Sequence, residues 1–325
     1  MPHLSRFRSQ VREELMAQTQ TLSGALQALI TDELMKAMGL GLTHWSRHYI
    51  HTLIKKGTRH FADLWVDLGA DIRTDGVTQA VRRLLPNFIA GCYHHGTSHV
   101  PSTGPLLVTS NHPGTVDALT ILALLQRDDV KIVLSGIPFF TALPNAQQHF
   151  IPVTTDSVTR SLVIREIISH LENSGAVLIF PTGHITPDPE LTPDVAVVFE
   201  DWSQSIALVL RCVPETKLLM TVVSGVIEPR FLRSPLCKLR KSKRRQQILA
   251  GFWQIIWQMM RPAATTTTPR VTFMTPITGT ALIECGPVKG IGVRKRLHHA
   301  ILVQAAEGLR QHIAIRNAAF YASVP

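Results

Sequence analysis

Asn111-His112-Pro113-Gly114-Thr115-Val116-Asp117 sets a histidine and a carboxylate five positions apart, directly after the apolar run Pro105–Thr109. An imidazole titrates near neutrality, and a carboxylate that orients the ring and balances its charge turns it into a general base. The spacing dictates where such a pair can meet. On a continuous helix five residues turn through about 500°, which sends the two side chains to different faces. The histidine must therefore sit in a turn ahead of the helix that carries the aspartate. Pro105–Thr109 reads as a strand, and Ala118, Leu119, Ile121 and Leu122 read as a helix. Pro113 and Gly114 supply the turn between them, and Thr115 is a candidate N-cap. Asp117 then falls in the first helical turn, where the helix dipole favours an anion.

A second strand-to-turn junction follows, where Ala176-Val-Leu-Ile-Phe180 runs into Pro181-Thr182-Gly183-His184. Taken alone, this stretch also fits an ordinary turn after a strand. Together the two junctions carry a resemblance. Residues Gly96–Ile121 resemble the glycerolipid acyltransferase family, the glycerol-3-phosphate and lysophosphatidate acyltransferases. In that family a Val-Pro…Gly-Pro, hydrophobic strand, Ser-Asn-His-x4-Asp run carries the catalytic dyad. Phe180–His184 is similar to the family's Phe-Pro-Glu-Gly-Thr-Arg-Ser segment, with Phe180, Pro181 and Gly183 kept. Thr182 stands where Glu is usual and Ile185 where Arg is usual, and Thr155 stands near another expected Arg. The resemblance covers about residues 90–230.

The resemblance implies an α/β fold, a mixed sheet flanked by helices as in glycerol-3-phosphate acyltransferases. It implies that His112 and Asp117 are catalytic, with substrate contacts from Asn111, Pro181, Thr182, Gly183 and His184. The acyl group would pass from acyl-CoA or acyl carrier protein to a hydroxyl of a glycerol-phosphate or lysophospholipid acceptor, with no metal and no other cofactor. Backbone N–H groups around Gly183 are candidates for holding the oxyanion. The departures at Thr155 and Ile185 point to an acceptor without a phosphate monoester, or to substitute cations among Arg160, His184, Arg230 and Arg233. A noncatalytic membrane- or partner-binding descendant of the fold is the alternative.

Six of the eight residues from Lys238 to Arg245 are basic: Lys238, Arg240, Lys241, Lys243, Arg244 and Arg245. They lead into Ile248–Met260, where Gln247, Gly251, Gln254 and Gln258 make one narrow polar stripe on a helix. Phe252, Trp253, Ile256, Trp257 and Met260 fill the broad apolar side. Such a helix suits an anionic membrane surface, with Trp253 and Trp257 at the interface and each nearby cation contributing about 1 kcal/mol. The other reading is a core helix behind a solvated charge run.

Composition bounds the rest. With 325 residues, 45% of them hydrophobic and 17% charged, the chain has material for a sizeable core. A net charge of +10 fits anionic lipid or the phosphates of coenzyme A, or an acidic carrier protein. No nucleic-acid-binding motif is present, so nucleic acid is not an expected partner. Gly-x-Ser-x-Gly, Walker and strand-linked Gly-x-Gly-x-x-Gly patterns are absent from the sequence, which leaves hydrolase, NTPase and dehydrogenase readings unsupported. The four cysteines show no metal-ligand spacing, as expected of a reducing compartment. Met1–Gln20 lacks an apolar signal core and no run approaches the roughly 18–20 apolar residues of a membrane span, so a cytoplasmic, peripheral membrane location is expected. Helical periodicity (Leu26, Leu29, Ile30; Phe61, Leu64, Trp65, Leu68; Val81, Leu84, Leu85) predicts an N-terminal helical bundle over residues 1–90. Alternating strands and helices over 91–325 predict the mixed α/β domain.

Overall fold

Leu106, Leu107 and Val108 follow one another and are all essentially fully buried, which requires cover on both faces of their strand. Leu106 and Val108 join one apolar cluster and Leu107 joins another. The same alternation holds for Ala176 and Leu178 against Val177, and for Leu219 and Val223 against Leu218, Met220 and Val222. The architecture is thus three layers, helices on either side of one sheet.

The structure is a computed structural model and describes residues 20–33, 44–114, 116–135, 142–143, 145–153, 157–192, 198–199, 201–238, 242–261, 265–284, 292–317 and 322–324. A helix over residues 20–33 (α1) and α2 (His44–Leu84) precede β1 (Cys92–His95) and β2 (Leu106–Ser110). Next come α3 (Asp117–Leu125), β3 (Val130–Ser135), β4 (Phe150–Val153), α4 (Ser157–Glu172), β5 (Ala176–Ile179), α5 (Ser205–Cys212) and β6 (Lys217–Ser224). Two short turns, α6 (Pro229–Leu232) and α7 (Pro235–Lys238), lead into α8 (Lys243–Met260). The chain continues with β7 (Arg270–Phe273), β8 (Ile277–Thr278), α9 (Gly279–Glu284), α10 (Val293–Asn317) and β9 (Ala322–Val324). Among the described residues nine strands form one sheet in the order β4-β3-β5-β2-β6-β7-β1-β9, with β8 paired to β6 off this path. β4, β3, β5, β2 and β6 run parallel, and β7 joins antiparallel, so the sheet is mixed.

The N-terminal helices share the first apolar cluster with the sheet, through Leu26, Ile30, Trp65, Val81 and Leu84. α2 breaks at Gly76 (φ 82°, ψ 167°), and the Thr78 N–H just beyond the break donates to Asp128 Oδ1 at 2.9 Å. A Cβ at Gly76 would come within 2.6 Å of that carboxyl group, so the break needs glycine for both its left-handed φ and its closeness to Asp128. At the amino-terminal edge of the parallel strands, the buried Arg127 pairs with Asp129 and donates to Gly104 O (2.8 Å) and Ser174 O (3.0 Å). One guanidinium thereby joins the turns that enter β2, β3 and β5. The opposite edge, where strands give way to loops, is where ligands bind in such sheets.

Candidate active site

β2 ends at Ser110, and Asn111 prolongs its pairing with β6 by side chain: Nδ2 donates to Val223 O and Oδ1 accepts from Val223 N–H, both at 2.8 Å. Asn111 is fully buried and both ends of its amide are spent in this way. The expected substrate contact is therefore corrected: Asn111 anchors the turn from behind.

Two residues on, His112 Nδ1 lies 2.8 Å from Asp117 Oδ2. α3 begins at Asp117, so the ring meets the carboxylate from the preceding turn. The carboxylate is wholly buried and accepts Gly114 N–H (3.0 Å) and Ala118 N–H (2.7 Å) as well. An acceptor so occupied assigns the proton to Nδ1 and leaves the lone pair on Nε2. The ring stacks on Phe180, centroids 4.4 Å apart, and its side chain is 26% exposed. Burial pulls the His112 pKa down, and the charge and hydrogen bond of Asp117 pull it up by more, so it titrates above the ordinary 6.5. The arrangement is that of a general base with an open Nε2.

The second junction lies beside the first. Thr186 exchanges backbone and side-chain hydrogen bonds with His112, accepting the His112 N–H at Oγ1 (3.0 Å) and donating its own N–H to His112 O (2.8 Å). Thr182, His184, Ile185, Thr186, Pro187, Thr192, Val198, Asp201, Ser242, Lys243 and Arg244 line a cavity of about 380 Å³. His184 Nε2 pairs with Asp201 Oδ2 at 3.1 Å, and the Thr182 hydroxyl donates to His184 O at 2.7 Å, closing the turn. Pro181 is buried and Gly183 is exposed, and neither lines the cavity. The Gly183 N–H donates to Phe180 O (3.0 Å), so among the backbone N–H groups around Gly183 this one is already spent.

α8 departs from a core helix whose polar stripe meets water. The polar stripe points inward: Gln247, Gln254 and Gln258 are each at most 4% exposed. Gln247 Nε2 donates to Pro113 O (2.7 Å) and Thr186 O (2.8 Å), and its Oε1 accepts Asp188 N–H (2.9 Å). Gln254 bridges Val226 O and Glu228 N–H, and Gln258 reaches Phe88 O. Loops leaving the sheet strand backbone groups that need partners, and a glutamine amide serves donors and acceptors alike. On the other side of the helix Ile248 and Met260 are about two-fifths exposed, at 41% and 40%. Trp253 and Trp257 are half-buried, and Trp257 lies under the guanidinium groups of Arg230 (5.3 Å) and Arg261 (4.6 Å).

Of the expected cations, Lys238, Lys243, Arg244 and Arg245 are exposed, whereas Arg240 and Lys241 lie outside the described residues, as does Thr155. Of the substitute cations, only His184 lines the cavity. Arg160 and Arg233 are exposed elsewhere, and Arg230 is paired with Glu228 and stacked on Phe231 and Trp257. Three features escape sequence reading. Asp201 follows His184 by 17 residues, a spacing that signals nothing. Asp188 is fully buried and accepts the N–H groups of Glu190, Gly225 and Val226 (2.9–3.0 Å), tying the 186–192 loop to the end of β6. Burial outweighs those three bonds and pushes its pKa up to about 6. The third feature, the inward glutamines, did leave a signal, since steps of four, three and four residues mark a buried helical seam.

Residues 92–208 match the family model described as Acyltransferase. That span holds the His112–Asp117 turn and the cavity residues from Thr182 to Asp201. Among solved structures, the chain is similar to the crystal structure of PlsC, the 1-acyl-sn-glycerophosphate (LPA) acyltransferase from Thermotoga maritima. The identity is 12% and the TM-score 0.40, over 90% of this chain and 98% of that one. No curated protein matches the chain.

Proposed function

We propose that the protein is an O-acyltransferase that works at a membrane surface and acylates a hydroxyl of a glycerol-phosphate or lysophospholipid acceptor. The observation that carries this reading is the 2.8 Å contact of His112 Nδ1 with a wholly buried Asp117, within the acyltransferase-family span. His112 Nε2 takes the proton of the acceptor hydroxyl as its oxygen attacks the thioester carbonyl of acyl-CoA or acyl carrier protein. The new C–O bond forms, the C–S bond breaks, and the imidazolium returns the proton to the leaving thiolate. Asp117 holds the ring in the one tautomer that performs this step and balances the imidazolium charge.

The membrane part of the proposal rests on α8. Ile248, Met260 and the half-buried tryptophans lie away from the glutamine seam, and Lys238 and Arg245 add exposed positive charge nearby. An apolar strip bordered by cations matches an anionic lipid surface. Among the described residues no helix is long and apolar enough to cross a membrane.

The test incubates purified protein with labelled acyl-CoA or acyl carrier protein, anionic vesicles, and glycerol 3-phosphate, lysophosphatidate or monoacylglycerol as acceptor. Acyl transfer that is lost in a folded H112A variant is the expected result. A complete lack of transfer by the wild type, with every donor and acceptor, would leave the noncatalytic alternative standing. Sedimentation with vesicles, weakened in K238Q/R245Q and by salt, checks the membrane part.

A further inference from the structure

At the position usually taken by an acceptor-binding arginine this chain has Ile185, and Ile185 lines the cavity beside His112. An apolar lining alone would reject a phosphate. Other lining residues supply what Ile185 lacks: Lys243 and Arg244 reach the same cavity from the start of α8, well beyond the family-matched span. We infer that Lys243 and Arg244, with His184 of the same lining, form a phosphate-monoester subsite that selects the acceptor.

Three observations support the assignment. The first is charge: among the described residues the lining has two permanent cations and a histidine against one carboxylate, Asp201, which is already paired with His184 at 3.1 Å. Hydroxyls of Thr186, Thr192 and Ser242 line it too, beside the apolar Ile185, Pro187 and Val198, and phosphate oxygens accept from both kinds of donor. The second is size. About 380 Å³ lies at the small end of ligand pockets, which run roughly 300–1,000 Å³, so it suits a phosphate head with a short polyol better than a nucleotide with a pantetheine arm. The third is position. Gln247, one helical turn after Lys243, bonds both Pro113 O and Thr186 O, and Thr186 in turn bonds the His112 backbone on both sides. The cationic wall is thereby fixed to the turn that carries the base, as a subsite that orients an acceptor hydroxyl must be. Lys243 and Arg244 then belong to the pocket, and the lipid-facing charge falls to their neighbours.

The inference rests on the acyltransferase reading for the word acceptor, and its test does not. Binding of glycerol 3-phosphate, inorganic phosphate and coenzyme A to the full-length protein is measured by titration calorimetry, for wild type, K243Q/R244Q, the charge-keeping K243R/R244K and the remote K238Q/R245Q. Losing two charge-assisted contacts should weaken glycerol 3-phosphate binding about ten- to a hundredfold in K243Q/R244Q. K243R/R244K should stay within about threefold of wild type and K238Q/R245Q should match it, with circular dichroism checking the fold. Inorganic phosphate, the shared chemical group, should follow the same order with lower affinity. Wild-type affinity for glycerol 3-phosphate in K243Q/R244Q overturns the subsite, and so does the absence of wild-type binding. Loss of coenzyme A binding with glycerol 3-phosphate unaffected overturns it too, by giving the pocket to the donor. If the binding loss appears while the wild type transfers no acyl group, the subsite stands and the enzyme reading falls. Unchanged KM for lysophosphatidate in K243Q/R244Q would instead remove the subsite and leave the transferase.

Discussion

Two histidine–aspartate pairs stand on neighbouring turns, one in the cavity lining and one bonded to it through Thr186, and their separations hardly differ: 3.1 Å for His184–Asp201 and 2.8 Å for His112–Asp117. Their carboxylates differ entirely. Asp117 is 0% exposed and holds two further backbone N–H groups, whereas the Asp201 side chain is 62% exposed. Water competes for the exposed carboxylate and screens its charge, so the second pair forms and breaks at little cost. The buried carboxylate has no such substitute, and its ring is held in one orientation. A histidine beside an aspartate becomes a lasting base through the fixing and drying of the acid, which spacing in sequence does not reveal.

The contrast is sharpest on removal of the bases. H112A should lower kcat/KM for acyl transfer by about 10²- to 10⁴-fold, the usual cost of losing a general base. H184A should cost about tenfold or less, through KM for phosphate acceptors. Equal losses in the two variants would erase the distinction between the pairs.

D117N comes next. A hydrogen bond to a charged group contributes about 1.5–3 kcal/mol, so the rate should drop about ten- to a hundredfold. The pH profile adds a signed readout. With Asp117 present, kcat/KM falls on acidification through a His112 pKa above 6.5. In D117N only burial remains, which favours the neutral ring, so the acid limb should move below 6.5. A limb that stays in place would mean that Asp117 does not set the base.

Buried against exposed polar partners can also be compared in stability. Q247L orphans Pro113 O, Thr186 O and Asp188 N–H, so denaturant unfolding should show losses of about 1–3 kcal/mol per stranded group, whereas Q258L leaves Phe88 O its second donor, the Thr265 hydroxyl (2.9 Å), and should cost less. The exposed Ile248→Ser should stay within about 0.5 kcal/mol. D201N, too, should cost little, about 0–1 kcal/mol in stability. A D201N loss as large as that of Q247L would show the exposed pair to be structural after all.

The sequence discloses the fold and the first pair because both are local. A strand, a Pro-Gly turn and a helix follow one another within Leu106–Leu125, and the His–Asp spacing fits only that arrangement. The alternation of β2 to β6 with helices is legible for the same reason. The cationic part of the cavity lining is not, since Lys243 and Arg244 meet Thr182 and His184 only after about 60 intervening residues have folded. Nor is the direction of α8. Periodicity locates its two faces, and the usual rule buries the apolar one. Here the loops at the carboxyl ends of the strands present unsatisfied carbonyl and N–H groups, from residues as distant as Phe88, and the glutamines go to them.

That seam has a mechanical consequence. Gln247 and Gln258 are 11 residues apart, about 16 Å of helix axis, and with Gln254 between them α8 is riveted to the sheet along most of its length. A helix fastened at three points can neither roll about its axis nor slide along it. Whatever flat surface its outer side lands on, the turn carrying His112 is held at one fixed height above it, like a tool on a mounted stand. Acceptors whose hydroxyl lies at that height would be reached without any rearrangement of the protein, and the depth of a headgroup would become a selection rule independent of its charge.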